Sequence, residues 1–181
     1  MVANPSRIAK HTYPNIRGKI PLVLPINHAT ITEGVLRPTY VEINLTRLEK
    51  NLNAIRQKVS PARVMAILKA NAYGHGMVEV AKNMVAWGVD YLGVAYLEEG
   101  MLLREYGINT PILVLGGIIG NQVPLFLQHG LTLTASSLEK LEQIELVASE
   151  MKTIAKVHIK IDTGMERIGV HYYSAESLLA A

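Results

Sequence analysis

The sequence contains no cysteine among its 181 residues, which excludes disulfides and thiolate metal sites. No apolar run approaches the ~18 residues of a membrane span. The best candidate for a signal-peptide core, residues 20–26, is short and is interrupted by Pro21 and Pro25. We therefore expect a protein that is not exported and has no membrane partner, and we take the cytoplasm as its compartment.

The excess of positive charge is confined to the N-terminal segment. The formal net charge is +3, but residues 1–39 hold five basic side chains against one acidic side chain, so the remainder is close to neutral. Nucleic-acid-binding domains carry a clustered basic patch, and residues 40–181 show none, so we expect no nucleic-acid partner. Residues 1–37 are interpreted as an irregular leader, either a linker or a regulatory arm, with one short strand near Leu22–Leu24.

Phosphate-binding glycine motifs are also missing. Gly74 and Gly76 are too few for the dinucleotide-binding fingerprint, and the glycines of residues 116–120 have the wrong spacing for that motif or for a P-loop. We interpret both segments as turns.

A regular alternation of strand and helix patterns is present from Tyr40 onwards. Tyr40–Leu45 is predicted as a short strand, and Thr46 and Ser136 are predicted as helix N-caps, each with a glutamate three residues later. Further strands are predicted to start near residues 63, 91, 112, 131 and 156, each followed by a helix. Serial units of this kind give parallel strands, in either an open doubly wound sheet or an eight-stranded barrel.

The segment 65–76 places Lys69 at the end of an apolar strand, before a glycine-containing turn. A lysine removed from water loses its proton more readily and becomes a nucleophile that can bond to an aldehyde. The alternative is a solvated lysine at the start of a loop. Tyr73 has the similar alternative of a loop aromatic, and His75 is interpreted as a turn residue with no catalytic role.

A second polar segment runs from His158 to Gly169. Strand alternation puts His158, Lys160 and Asp162 on one face and the intervening apolar residues on the other. In a barrel the apolar face would meet the helices, and the polar face would point inward near the carboxyl end of the strand, where active sites lie. The alternative is a half-exposed strand with a solvated face.

The segment from Met65 to Gly76 closely resembles the cofactor-lysine motif of alanine racemases, and the similarity extends from about Pro38 to the last residue. The resemblance implies an α/β fold: a partial (β/α)8 TIM-type barrel over residues 38–181, with about five βα units. The later units and the C-terminal β-domain would be absent, so we expect unpaired strand edges and exposed apolar surface. It also implies pyridoxal 5'-phosphate as cofactor, no metal, and a homodimer that interconverts L- and D-alanine for peptidoglycan precursors.

The resemblance also implies roles for individual residues. Lys69 would hold the cofactor and act as the base for the α-proton of D-alanine. Tyr73 would bind the cofactor phosphate, and Leu115 would lie beside the cofactor ring, unless it is simply a core residue.

The second segment matches residues that handle the substrate in this family. Arg167 would bind the substrate carboxylate and the cofactor's ring hydroxyl, and Lys160 would orient Arg167 if carbamylated. The backbone of Met165 would line the site of the partner subunit. The family has glycine or asparagine where this chain has Glu166, whose carboxylate would either compete with the substrate or face solvent.

Three interpretations of the chain stay open at this point. It is half of a racemase whose remainder is a separate polypeptide, an inactive fragment, or a relative with broader amino-acid specificity.

Overall fold

The computed structural model describes residues 41–180. The strand predicted near Leu22–Leu24, like the rest of the leader, lies outside the described residues. No helix within residues 41–180 is long and apolar enough to cross a bilayer.

Helices and short strands alternate along the described chain. The helices are α1 (Leu45–Val59), α2 (Met77–Ala86), α3 (Leu97–Glu105), α4 (Val123–Gln128), α5 (Leu138–Glu150) and α6 (Ala175–Ala180). The strands are β1 (Met65–Ile67), β2 (Tyr91–Val94), β3 (Ile112–Val114), β4 (Leu133–Ala135), β5 (Val157–Ile159), β6 (Ile161–Asp162) and β7 (Val170–His171). The predicted order of βα units is confirmed, and the fold is α/β.

All strand pairs in the described chain are parallel. Strands β1, β2 and β3 form one sheet in that order, and β4 pairs with β5. A single bridge between Leu113 and Thr132 joins β3 to the residue before β4, so the first five strands follow one another in chain order. Strand β6 pairs with β7 separately.

The core lies between the strands and the helices that follow them. Strands β2, β3 and β4 are almost fully buried, whereas the residues of β1 and β5 are half-buried or exposed. The largest fully buried side chains are Phe126, Leu92, Leu103, Ile112, Leu131, Leu133, Val94, Val114 and Val123. Helix α1 is less completely covered: Leu52 is 4% exposed, but Ile55, about one turn further along the helix, is 51% exposed.

Both predicted N-caps are wrong by one or two residues. Helix α1 begins after Asn44, whose Oδ1 accepts the Arg47 N–H at 2.9 Å, so Thr46 lies inside the helix. Asparagine satisfies an N-cap somewhat better than threonine. Helix α5 is capped by Ser137 rather than Ser136. The strand predicted over Tyr40–Leu45 is not formed by residues 41–44, and Tyr40 itself lies outside the described residues.

Strand β1 was predicted to be buried, and it is instead a half-exposed edge strand. Among the described residues it pairs only with β2, and Ile67 is 37% exposed. Ile159 of β5 is 39% exposed. The expected unpaired edge and exposed apolar surface are therefore present at these two strands.

Candidate active site

Lys69 opens a turn with an unusual backbone. After β1 the chain makes one left-handed helical turn, in which Ala70, Asn71, Ala72 and Tyr73 have φ between 52° and 55°. None of these residues is glycine, and the left-handed conformation costs about 1–2 kcal/mol per L-residue. Surrounding contacts must hold a turn of this kind, and strain held in this way is concentrated at functional sites.

Local hydrogen bonds hold the turn on its C-terminal side. The side-chain Oδ1 of Asn71 accepts the Met77 N–H at 2.8 Å, which ties the turn to the start of α2. The ring Nδ1 of His75 lies 2.8 Å from the Ala72 carbonyl oxygen. His75 therefore acts within the turn, consistent with the prediction that it is a turn residue.

Lys69 and Tyr73 lie together at the end of β1. The Lys69 Nζ is 6.0 Å from the centroid of the Tyr73 ring. Lys69 is half-buried, and Tyr73 is 61% exposed. The turn therefore carries both the Lys69 amine and the Tyr73 hydroxyl, and it is accessible to solvent.

Leu115 directly follows β3, two strands away from β1, and lies on the same face of the sheet as Ile67. Gly93 of β2 sits between the two strands, and a Cβ built on it would lie 2.6 Å from Ile67 Cδ1 and 3.6 Å from Leu115 Cδ1. The side chains of Ile67 and Leu115 therefore share one face of the sheet and meet over the glycine. Leu115 is half-buried, so it is not a simple core residue.

The second polar segment brings its three predicted residues together. Lys160, Met165 and Arg167 line a small cavity of about 180 Å³. Met165 is 74% exposed. The cavity thus combines two cationic side chains with an exposed apolar one.

Asp162 organises the loop that carries Arg167. It was predicted to lie on the open strand face, but its carboxylate turns into its own loop and is 6% exposed. It accepts the backbone N–H groups of Gly164, Glu166 and Arg167 at 2.8 to 3.1 Å. These bonds, led by the one from Gly164, lower the pKa of Asp162 to about 2. The carboxylate is therefore charged at neutral pH and fixes the backbone at Arg167.

The remaining strand residues follow the predicted alternation only in part. The rings of Tyr91 and His158 have their centroids 6.0 Å apart on the polar face. On the other face, Ile159 and Ile161 are 39% and 37% exposed, so the prediction that this face meets helices is wrong there. After Lys160 the chain no longer pairs with β4; it forms β6, which pairs with β7.

Of the two alternatives for Glu166, competition with the substrate carboxylate or exposure to solvent, the structure shows exposure to solvent. Its side chain is 69% exposed, with Oε1 3.7 Å from His171 Nδ1. Its φ is +55°, which is a conformation that glycine and asparagine adopt at lower cost. The backbone geometry therefore explains why this position suits the residues found in the resembling family.

A larger cavity of about 600 Å³ borders the Lys69 turn, with Ala72 and His75 in its lining. It runs between α1 and β1 and is lined mainly by apolar side chains, among them Leu48, Leu52 and Leu68. Neither Lys69 nor Tyr73 lines it.

Two residues with a clear structural role in these loops were missed. The first is Glu99 of α3, whose carboxylate accepts the Ala70 N–H at 2.7 Å. Asp162 was placed on the strand face rather than in the loop. The Asp-Thr-Gly order that follows β5 is a turn signal that could have identified Asp162, whereas a contact across 29 residues leaves no local trace.

Serial parallel strands with polar residues at their carboxyl ends place the chain in the class of α/β domains whose functional groups gather at that end. Residues 43–181 match the family described as alanine racemase, N-terminal domain, and the chain belongs to this family. Alanine racemase 2 of Caldanaerobacter subterraneus subsp. tengcongensis is 45% identical over 135 residues, which cover 74% of this chain and 35% of that protein.

Solved structures give the same assignment. An alanine racemase of Clostridium difficile 630 in complex with cycloserine matches with a TM-score of 0.75 and 40% identity, over 81% of this chain and 41% of that one. A histidine racemase from Leuconostoc mesenteroides subsp. sake matches with a TM-score of 0.70 and 29% identity, over 75% of this chain and 37% of that one. The chain spans less than half the length of these relatives.

Proposed function

We propose that this chain is the N-terminal part of a pyridoxal-phosphate-dependent alanine racemase that interconverts L- and D-alanine for cell-wall precursors. The observation that carries the proposal is the position of Lys69, at the end of β1 and at the entrance to a strained left-handed turn. A connection between a strand and a helix does not require four left-handed residues without glycine. The strained turn is explained if the function of the protein depends on the direction of the Lys69 amine.

The same proposal assigns the five strands to part of an eight-stranded barrel. Tyr91 of β2 and His158 of β5 are three strand spacings apart, about 14 Å along a flat sheet, yet their ring centroids are separated by 6.0 Å. Because side chains stand roughly perpendicular to a sheet, a contact over this distance supports curling of the strands around that face. Curling also brings the end of β1, with Lys69, towards the end of β5, where Arg167 follows.

The donor set at the end of β1 suits pyridoxal phosphate. Lys69 offers a primary amine that can bond to the aldehyde, and the exposed Tyr73 can present its hydroxyl to the phosphate. Leu115 offers an apolar contact to the ring from the same side of the sheet. These three residues are proposed to hold the cofactor, with Lys69 bound covalently.

When bound, the cofactor supplies an electron sink for the pair left on the α-carbon. The task assigned to Lys69 is to accept the α-proton of D-alanine on a neutral Nζ. Arg167 is assigned to the substrate carboxylate, because its planar guanidinium matches two carboxylate oxygens. Lys160 lines the same cavity as Arg167, where a carbamate on its Nζ would orient the guanidinium. Met165, exposed on that rim, is assigned to the site of the partner subunit in a homodimer.

Borohydride trapping tests the cofactor assignment directly. The purified chain is incubated with pyridoxal phosphate and reduced, and the labelled lysine is identified by peptide mass spectrometry. We expect the label on Lys69 and its loss in Lys69→Ala. The matched control is Lys82→Ala, which removes an exposed lysine of α2 and should retain the label. A label that persists in Lys69→Ala overturns the assignment.

A racemase of broader specificity is the second candidate, supported by the likeness to a histidine racemase. Displacement of the cofactor from Lys69 by added amino acids separates the two candidates. Preferential displacement by D-alanine supports the alanine racemase. Displacement by D-histidine at equal concentration and to equal extent supports the broader enzyme.

A further inference from the structure

The peptide units on both sides of the Lys69 Cα are held by hydrogen bonds. On the N-terminal side, the Leu68 carbonyl accepts the Ala72 N–H at 2.7 Å. On the C-terminal side, the Ala70 N–H donates to Glu99 Oε1 at 2.7 Å. That N–H belongs to the peptide unit that begins at the Lys69 carbonyl, so the carboxylate fixes the ψ angle of Lys69.

Glu99 contacts two neighbouring strand ends at once. Its Oε2 accepts the N–H of Ala95 at 2.7 Å and that of Tyr96 at 3.3 Å, both just after β2. Its Oε1 reaches the turn after β1. Among the hydrogen bonds of the described chain, the Glu99 bond is the one that ties the left-handed residues to a different βα unit.

The helix that carries Glu99 is firmly seated in the core. Leu97 and Leu103 of α3 are 3% and 0% exposed. A Cβ on Gly100 would lie 2.9 Å from Leu131 Cδ1, so the helix backbone lies directly against that side chain. The position of Glu99 is therefore fixed by the buried helix α3, and its hydrogen bond to Ala70 attaches the left-handed turn to that helix.

We propose that Glu99 is a positioning residue that sets the direction in which the Lys69 amine leaves β1. This inference rests on the proposed function, since it concerns the reactivity of Lys69 towards pyridoxal phosphate. A residue that merely caps α3 would also bind Ala95 and Tyr96, but it would not need to contact Ala70. The contact to Ala70 distinguishes the two roles.

The test compares Glu99→Gln with Glu98→Gln in the purified full chain. Glutamine keeps the size of the side chain, but one of its two terminal atoms becomes an NH₂ group, which cannot accept an N–H. Glu98 is an exposed neighbour in the same turn of α3, so its variant removes the same charge from the helix N-terminus. The readouts are the affinity of Lys69 for pyridoxal phosphate, measured by borohydride trapping well below the melting temperature, and the hydrogen-exchange rate of the Ala70 amide.

We expect Glu99→Gln to weaken adduct formation by about tenfold, as for loss of a hydrogen bond to a charged group, and to speed exchange at Ala70. Glu98→Gln should change neither by more than about twofold. If Glu99→Gln does not fold, Glu99→Asp keeps the charge but withdraws the carboxylate by one methylene group, and the same loss is expected.

The outcomes separate this inference from the proposed function. A wild-type chain that forms no adduct at Lys69 overturns the proposed function and the inference together. A wild-type chain that reacts, with Glu99 variants that react equally well, overturns the inference alone. A lowered melting temperature with unchanged trapping and exchange also overturns it, because that result describes a helix cap.

Discussion

Replacing Glu166 by glycine should stabilise the chain, although glycine usually destabilises proteins. Glu166 has a φ of +55°, and this left-handed backbone costs an L-residue about 1–2 kcal/mol that glycine does not incur. Glycine loses more backbone entropy on folding, which offsets about 0.5–1 kcal/mol of that gain. The pair with His171 is removed as well, but the Glu166 side chain is 69% exposed, and such pairs contribute about 0–1 kcal/mol.

The balance favours the variant by about 0.25 kcal/mol at the centre of these ranges. For a domain of this size, 1 kcal/mol corresponds to about 2–4 °C in melting temperature. Glu166→Gly should therefore melt about 0.5–1 °C higher than the wild type.

Thermal unfolding followed by circular dichroism measures the difference, with Glu142→Gly as the matched control. Glu142 is an exposed residue inside α5, where glycine costs about 1 kcal/mol of helix propensity. The control should therefore melt about 2–4 °C lower, a shift of opposite sign. If Glu166→Gly is destabilised as much as the control, Glu166 carries no backbone strain and the reasoning is wrong.

Two further predictions concern acid stability and activity. The pKa of Asp162 in the folded chain is about 2, below its ordinary value of 3.8. The folded chain therefore binds fewer protons at this site than the unfolded chain does. For this reason the stabilisation by Asp162 is complete above about pH 4 and is lost towards pH 2. The difference in urea midpoint between wild type and Asp162→Asn should shrink over that window, and a constant difference would contradict this. The 181-residue chain alone should show no racemase activity, because it spans only 35% and 41% of the length of two alanine racemases that it matches; measurable turnover of D-alanine would refute this.

The order of the fold could be predicted because it depends on local patterns. Each strand is a short apolar run and each helix an amphipathic one, so their succession is visible in the chain itself. Parallel pairing then follows from the serial connections. The exposure of Ile67 and Ile159 could be expected only from the family resemblance, which implies missing neighbours, because burial of an edge strand depends on the strand beside it rather than on its own sequence.

The candidate site could be predicted only as a set of residues. Lys69 and Tyr73 were found from their motif, but the motif predicts only a glycine-containing turn and says nothing of the hand of its backbone. Only the contacts of the folded chain show a left-handed turn. The role of Glu99 was hidden because its partner in the turn lies 29 residues away, and no pattern of period two or four connects the two positions.

Gly93 links this turn to the shape of the sheet. It lies in β2 between Ile67 and Leu115, and the side chains of its two neighbours close over it. A methyl group there would lie 2.6 Å from Ile67 Cδ1, which is the far end of a flexible side chain that is 37% exposed, so alanine would displace the Ile67 side chain. The same face carries Tyr91 and His158, whose ring centroids are 6.0 Å apart. Gly93 therefore leaves space for side chains of the neighbouring strands on the face that would be the interior of the proposed barrel.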